Sequence, residues 1–117
     1  MSGDDIRLFA VGLDHRSSTA ALRDRIFIAE GEMAGFLAAL RSAGIDQAIV
    51  LSTCDRIEVQ GAHREPAMAT EAVLKLLVRR AGEDEGNVRR QCYAHHDAAA
   101  LRRIFGVAAA LESQVIG

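Results

Sequence analysis

The sequence has few of the residues that mark several common classes of protein. It contains no tryptophan, one tyrosine and four phenylalanines, so stacking on single-stranded bases is poorly supported. Two cysteines, Cys54 and Cys92, are too few for a disulfide scaffold, and free thiols fit a reducing cytoplasm. No apolar run approaches the roughly 20 residues of a membrane span, and the acidic residues 1–5 do not resemble a signal peptide. We therefore expect a cytoplasmic protein without a membrane segment.

The bulk composition is that of an ordinary globular domain. A chain of 117 residues supports one domain, and half of its residues are apolar while 26% are charged. The net charge of −2 excludes a positive field over the whole molecule. Lys75 is the only lysine, so arginine carries almost all of the positive charge.

Apolar runs and alternations predict four β-strands. The predicted strands are residues 8–13, 48–51 and 57–62, with a weaker fourth at 92–95. Residues 52–56 are expected to link the second strand to the third. Residues 82–87 are acidic and contain glycine, so we expect a loop there, followed by one helical turn at residues 88–91.

Four helices are predicted between and after these strands. Their apolar positions are Leu22 and Ile26, then Met33, Phe36, Leu37 and Leu40, then Val73, Leu76 and Leu77, and last Leu101, Ile104, Phe105 and Ala108 on one stripe. Gly44 and Gly82 end the second and third helices, while Pro66 and Asp97 begin the third and fourth. This order indicates an α+β fold, with a ferredoxin-like antiparallel sheet covered by helices.

The most informative stretch surrounds Cys54. An apolar run at residues 48–51 ends in Ser-Thr, and Cys54 follows at the expected strand end with Arg56 two residues later. A strand end suits a nucleophile, because the sheet fixes the backbone while the side chain faces a cleft. The alternative is that Cys54 is only a small apolar residue, since single cysteines in strands usually are. Spacing alone leaves both possibilities open.

Three ordered blocks resemble glutamyl-tRNA reductases. Ser-Thr-Cys-Asp-Arg-Ile-Glu at residues 52–58 is similar to the Ser-Thr-Cys-Asn-Arg-Thr-Glu signature of that family. Residues 11–16 with 22–25 resemble its opening Gly-Ile-Asn-His-Lys-Thr-Ala-Pro and Leu-Arg-Glu-Arg. Residues 104–117 resemble its Leu-Phe-Arg-Val-Ala-Ser-Gly-Leu-Asp-Ser-Met-Val-Leu-Gly. The resemblance therefore extends over almost the whole chain.

This resemblance implies a chemistry and its partners. In the family, a cysteine thiolate attacks the ester of glutamyl-tRNA(Glu), and NADPH reduces the resulting thioester to glutamate-1-semialdehyde, a precursor of 5-aminolevulinate and the tetrapyrroles. Residues 1–117 resemble the N-terminal catalytic domain only, so we expect a fragment that lacks the NADPH-binding and dimerisation domains. The full-length protein would be a homodimer, and glutamate-1-semialdehyde aminomutase is a possible further partner.

Position by position, the resemblance makes Cys54 the nucleophile and places Thr53, Asp55, Arg56 and Ser113 around the glutamyl group. An arginine suits that role because its guanidinium pairs bidentately with a carboxylate. A thiolate suits nucleophilic attack at neutral pH.

Roles without a substrate remain open for several of these residues. Thr53 could simply fit the strand edge, and Arg56 could form an ion pair with Glu58. Ser113 could be an ordinary helix-surface serine. His15 either lines the cleft, as the family's histidine does, or bonds a neighbouring backbone group.

The chain also departs from the family pattern. Asp55 stands where the family has asparagine, and a neighbouring negative charge disfavours a thiolate. Arg103 stands where the family usually has a histidine thought to assist catalysis, and a guanidinium cannot exchange protons near neutral pH. Gly106 replaces a family arginine.

Two functions therefore stay open. The first is the thioester-forming domain of an NADPH-dependent glutamyl-tRNA reductase. The second, suggested by Asp55 and Arg103, is a non-catalytic tRNA- or partner-binding relative on the same fold. We expect no metal, since no ligand spacing typical of a metal centre joins Cys54, Cys92, His95 and His96.

Overall fold

The computed structural model describes the backbone of residues 5–116 and the side chains of residues 5–110. The elements follow one another as β1 (Arg7–Asp14), α1 (Ala20–Ile26), α2 (Met33–Ser42), β2 (Gln47–Thr53), β3 (Arg56–His63), α3 (Pro66–Ala81), α4 (Glu85–Gln91), β4 (Tyr93–His96) and α5 (Asp97–Ile116). Within the described residues, none of the helices combines the length and hydrophobicity that crossing a membrane requires.

The four strands form one antiparallel sheet in the order β2-β3-β1-β4. β2 and β3 are a hairpin, whereas β1 and β2 are joined through helices with β3 inserted between them. This is the split arrangement of a ferredoxin-like layer. The predicted α+β fold class is confirmed.

One face of the sheet carries the apolar core. Phe9, Val11 and Leu13 of β1 are fully buried and alternate along the strand with residues of the opposite face. Ile57 and Val59 of β3 continue the same face. The helices that cover it contribute Leu22, Ile26, Phe36, Leu40, Val73 and Leu77. Each large side chain buried there contributes about 1.5–3 kcal/mol of transfer free energy, so this face holds most of the stability.

The other face of the sheet is covered by α5 near β1 and β4. Ala100 and Val107 are buried there, and Arg103 turns inward between them. The apolar stripe predicted on this helix is therefore not the face that packs on the sheet, because Leu101, Phe105 and Ala108 are exposed. The helix turns Arg103, rather than its apolar stripe, toward the sheet, because Asp14 and Glu58 on this face of the sheet form ion pairs with Arg103.

Two connections also differ from the prediction. The loop expected at residues 82–87 is shorter, because the Asp84 carboxylate accepts a hydrogen bond from Asn87 N–H and caps α4 at Glu85. The link expected at residues 52–56 is shorter as well, since its first and last residues belong to the strands. Gly82 ends α3 as predicted, with a φ of 65° that favours glycine.

Candidate functional site

Cys54 lies in a two-residue turn that joins β2 to β3. Thr53 and Arg56 are the last paired residues of the two strands, so only Cys54 and Asp55 form the turn. The Thr53 hydroxyl accepts a hydrogen bond from Asp55 N–H at 3.2 Å, which fixes the turn from within. Cys54 is exposed, and the paired strands hold its backbone at the end of the sheet. A thiol in this position is accessible to a large substrate.

Arg23 ties this turn to the segment that follows β1. Its Nε donates to the Cys54 carbonyl at 3.1 Å, while its Nη1 donates to the carbonyls of Ser18 at 2.6 Å and Asp14 at 3.3 Å. Arg23 is only 9% exposed, so these hydrogen bonds lie largely out of water. The sequence placed Arg23 within a family block but gave no sign of this role. One guanidinium thus holds the turn of Cys54 against the loop of His15.

Two adjoining cavities open beside Cys54. The smaller, of about 200 Å³, is lined by His15, Thr53, Cys54, Asp55, Arg56, Val107 and Ala110. The larger, of about 740 Å³, is lined by Asp14, His15, Arg16, Arg56, His95, Ala99, Arg102, Arg103, Gly106, Val107 and Ala110. Because the two share His15, Arg56 and part of α5, we treat them as one site and call it the Cys54 cleft. It therefore places the predicted nucleophile beside an imidazole and a guanidinium.

The Cys54 cleft is strongly cationic. Arg16, Arg56, Arg102 and Arg103 line it together with two imidazoles, against two carboxylates. The Nη1 of Arg56 is buried and has no hydrogen-bond partner. No ion pair joins Arg56 to Glu58 among the described side chains, so that alternative role is not found. Among the described residues the Arg56 side chain makes no hydrogen bond or ion pair, and Arg56 lines both parts of the cleft, so its guanidinium can pair with a carboxylate ligand there.

Arg103 is the centre of a buried polar network under the cleft. It donates to Glu58 Oε1 at 2.9 Å, to Asp14 Oδ2 at 2.6 Å and to the Tyr93 hydroxyl at 2.5 Å. Glu58 is fully buried and also accepts from the Tyr93 hydroxyl and, at 2.5 Å, from Gln60 Nε2. The guanidinium carbon of Arg103 lies 4.3 Å from the centre of the Tyr93 ring. This network explains why an arginine points into the fold at this position.

The strand register makes room for the network. Gly12 pairs with Glu58 on one side and with Tyr93 on the other, so the three residues share one face of the sheet. Since Gly12 has no side chain, the Tyr93 ring can reach across β1 to Glu58. A Cβ on Gly12 would lie 2.1 Å from the Ile57 carbonyl oxygen, so a larger residue does not fit there. The sequence pattern offered Glu58 only as a possible partner of Arg56, and it gave no signal for Gln60 or Tyr93.

The network also fixes protonation states. Burial acts to raise the pKa of the Asp14 carboxyl, but hydrogen bonds from Arg103 and two backbone N–H groups, with the charge of Arg103, hold that pKa below its ordinary value. Burial and the hydrogen bond to Glu58 raise the pKa of the Tyr93 hydroxyl far above its ordinary range. Tyr93 therefore stays protonated and donates, while Asp14 stays ionised and accepts.

The other predicted site residues are placed as follows. His15 is exposed just beyond β1 and lines both parts of the cleft. Ser113 lies in α5, but its side chain is outside the described residues. Cys92 is half-buried against the apolar core, and burial raises the pKa of its thiol to about 11. Among the described residues, no group of three or more metal-binding side chains comes together.

Comparison with known proteins identifies the relatives of this chain. The family described as glutamyl-tRNA(Glu) reductase, N-terminal domain, matches residues 11–117. A glutamyl-tRNA reductase of Rubrobacter xylanophilus is 38% identical over 108 residues, which are 91% of this chain and 25% of that protein. One from Syntrophotalea carbinolica is 31% identical over 113 residues, or 96% of this chain and 26% of that protein. The chain thus spans about a quarter of the length of these relatives.

Both the family match and the identities cover nearly all of the chain. The signature around Cys54 and the fold that presents it fall inside the matched region. The chain therefore belongs to the glutamyl-tRNA reductase family and corresponds to its N-terminal domain.

Proposed function

We propose that this chain is the thioester-forming domain of a glutamyl-tRNA reductase, acting in tetrapyrrole biosynthesis in the cytoplasm. The observation that supports this most is the position of Cys54, exposed in a tight turn that opens into a cleft shared with His15 and Arg56. A second support is Arg56, which lines the same cleft and whose guanidinium has no partner among the described residues, so that it can pair with a carboxylate.

In the proposed step, the Cys54 thiolate attacks the carbonyl carbon of the glutamyl ester. A carbon–sulfur bond forms, and the bond between the carbonyl carbon and the ribose oxygen of the tRNA breaks. The proton that left the thiol ends on that ribose oxygen, so a thioester and free tRNA replace the thiol and the ester. No oxidation occurs in this step. A thiolate is suited to it because it is a strong nucleophile near neutral pH.

The surrounding residues have distinct roles in this proposal. Arg56 binds the side-chain carboxylate of the glutamyl group, and Thr53 holds the turn through its bond to Asp55 N–H. His15 is the group that moves the proton from thiol to ribose oxygen, since it lines the same small cavity as Cys54. Ser113, which the family resemblance brings to the same pocket, completes the set.

The described residues do not fit a nicotinamide cofactor. Dinucleotide sites of the usual kind need parallel strands and a glycine-rich turn before a helix, whereas every strand pair here is antiparallel. NADPH, which would supply the hydride that reduces the thioester, would therefore bind to another domain of a longer protein. Homodimer formation and any contact with glutamate-1-semialdehyde aminomutase belong to that longer protein as well.

The test is mass spectrometry of the protein after incubation with glutamyl-tRNA(Glu). We expect one glutamyl adduct on Cys54, absent in Cys54→Ser and retained in Cys92→Ser. Cys92 is a matched control because it is the only other thiol and its raised pKa keeps it protonated. An adduct on neither cysteine, with tRNA still retained on the protein, would refute thioester formation and support the non-catalytic, tRNA-binding alternative.

A further inference from the structure

The two carboxylates of the Cys54 cleft are in opposite situations. Asp14 is 3% exposed, and its oxygens accept hydrogen bonds from Arg103, Arg16 N–H and Ser17 N–H. Asp55 is exposed, and among the described residues its carboxylate has neither a hydrogen-bond donor nor an ion-pair partner. Asp55 is thus the acidic group of the cleft that can bind a ligand.

The position of Asp55 is fixed rather than incidental. Its backbone N–H is bound by the Thr53 hydroxyl at 3.2 Å, and the preceding carbonyl is bound by Arg23 at 3.1 Å. Both ends of the turn are paired strand residues. The backbone of Asp55 is therefore held next to Cys54, and Asp55 lines the same small cavity.

Cys54 is consequently followed by one anion and one cation in successive positions. Asp55 supplies a negative charge, Arg56 supplies a positive one, and neither side chain has a partner among the described residues. A ligand with only a carboxylate would satisfy Arg56 and be repelled by Asp55. A ligand with both a carboxylate and an ammonium would satisfy both groups.

A glutamyl ester has this pair of charges, because it carries a side-chain carboxylate and an α-ammonium group. We propose that Asp55 binds the α-ammonium of the glutamyl ester while Arg56 binds its carboxylate. This inference rests on the proposed function and names the class of donor, an aminoacyl ester with a free α-amino group. Asp55 thus determines specificity for a free α-amino group. Where the family has asparagine, the aspartate carboxylate adds an ion pair with the α-ammonium.

Asp55 could instead slow the reaction by destabilising the Cys54 thiolate, and this alternative predicts a different effect of removing its charge. If the carboxylate acted mainly by opposing the thiolate of Cys54, its removal would accelerate acylation with every donor. If it binds the α-ammonium, its removal slows acylation only with donors whose amino group is free and charged. The two effects therefore differ in sign and in their dependence on the donor.

The experiment compares two donors, glutamyl-tRNA(Glu) and N-acetylglutamyl-tRNA(Glu), in single-turnover acylation of the whole chain. We expect Asp55→Asn to lower the second-order acylation rate with the free-amine donor about fivefold to tenfold, as for loss of a partly exposed charged hydrogen bond. The rate with the N-acetylated donor should change less than about twofold. Asp55→Glu, which keeps the charge, should retain most of the preference for the free amine.

Asp46→Asn is the matched control, because Asp46 is exposed, outside the cleft, and carries the same charge. It accounts for any general effect of net charge on tRNA attraction, and we expect both donors to react as with the unchanged protein. Equal effects of Asp55→Asn on both donors, or faster acylation, would overturn the inference while leaving the proposed function intact. Absence of acylation in the unchanged protein would overturn both.

Discussion

Replacing Arg103 by methionine tests the buried polar network. Methionine keeps much of the length and apolar stem but removes the three hydrogen bonds to Glu58, Asp14 and Tyr93. Glu58 is fully buried, and removing one partner of a buried ion pair costs about 3–5 kcal/mol. Because the Arg103 side chain is itself 23% exposed and solvent can partly replace it, we expect the lower end, about 3 kcal/mol.

The assay is urea denaturation followed by circular dichroism, which gives the free energy of unfolding. A loss of about 3 kcal/mol corresponds to a melting temperature lower by about 10 °C for a domain of this size. Arg102→Met is the control, because Arg102 is exposed and has no hydrogen bond or ion pair among the described residues. A surface change of that kind stays within about 0.5 kcal/mol.

A second variant separates charge from packing. Adding Glu58→Gln to Arg103→Met removes the buried charge that methionine leaves without a partner, so we expect at least about 1 kcal/mol to be recovered. If Arg103→Met is as stable as Arg102→Met, the two buried carboxylates do not depend on Arg103, and Arg103 is not the centre of the network.

Three further results are expected from the same contacts. At pH 8, iodoacetamide should modify the exposed Cys54 but not Cys92, because burial raises the pKa of the Cys92 thiol to about 11. Mass spectrometry of the treated protein measures both outcomes. Arg23→Met should lower the free energy of unfolding by about 2 kcal/mol in urea titrations, since partly buried carbonyls lose a charged donor. Because the pKa of Asp14 is lowered on folding, its contribution is complete above about pH 4 and lost as the pH falls further. Asp14→Asn should therefore flatten the loss of stability below about pH 4 in denaturation assays.

The sequence predicted the elements around the apolar core well, because the spacing of apolar residues and the residues at helix ends are local signals. The alternation in β1 and the glycine after α3 each reported a structure that the nearest few residues determine. The loop predicted at residues 82–87 is wrong at its end for a related reason: Asp84 followed by Glu85 is itself a local signal for a helix start, and it competes there with the loop signal of Gly82 and Gly86.

The second face of the sheet could not be predicted in this way. Glu58 alternates with Ile57 and Val59, so its sequence pattern is that of a solvent-facing strand position. It is buried only because α5, some 40 residues later, covers that face and brings Arg103 to it. The same contact turns Phe105 outward against its own apolar pattern. Ion pairs between residues far apart in the sequence determine which side chains are buried on this face, and the spacing of apolar residues within one element does not predict such pairs.

Arg103 also constrains how Cys54 can react. Glu58 matches the last residue of the family signature, and the family usually has a histidine, which can exchange protons near neutral pH, where this chain has Arg103. Arg103 contacts Glu58 with a charge that does not change near neutral pH, so it can hold the carboxylates but not transfer a proton. His15 and His95 are the imidazoles that line the cleft. Of these, His15 also lines the small cavity of Cys54, so proton transfer in the proposed step falls to it.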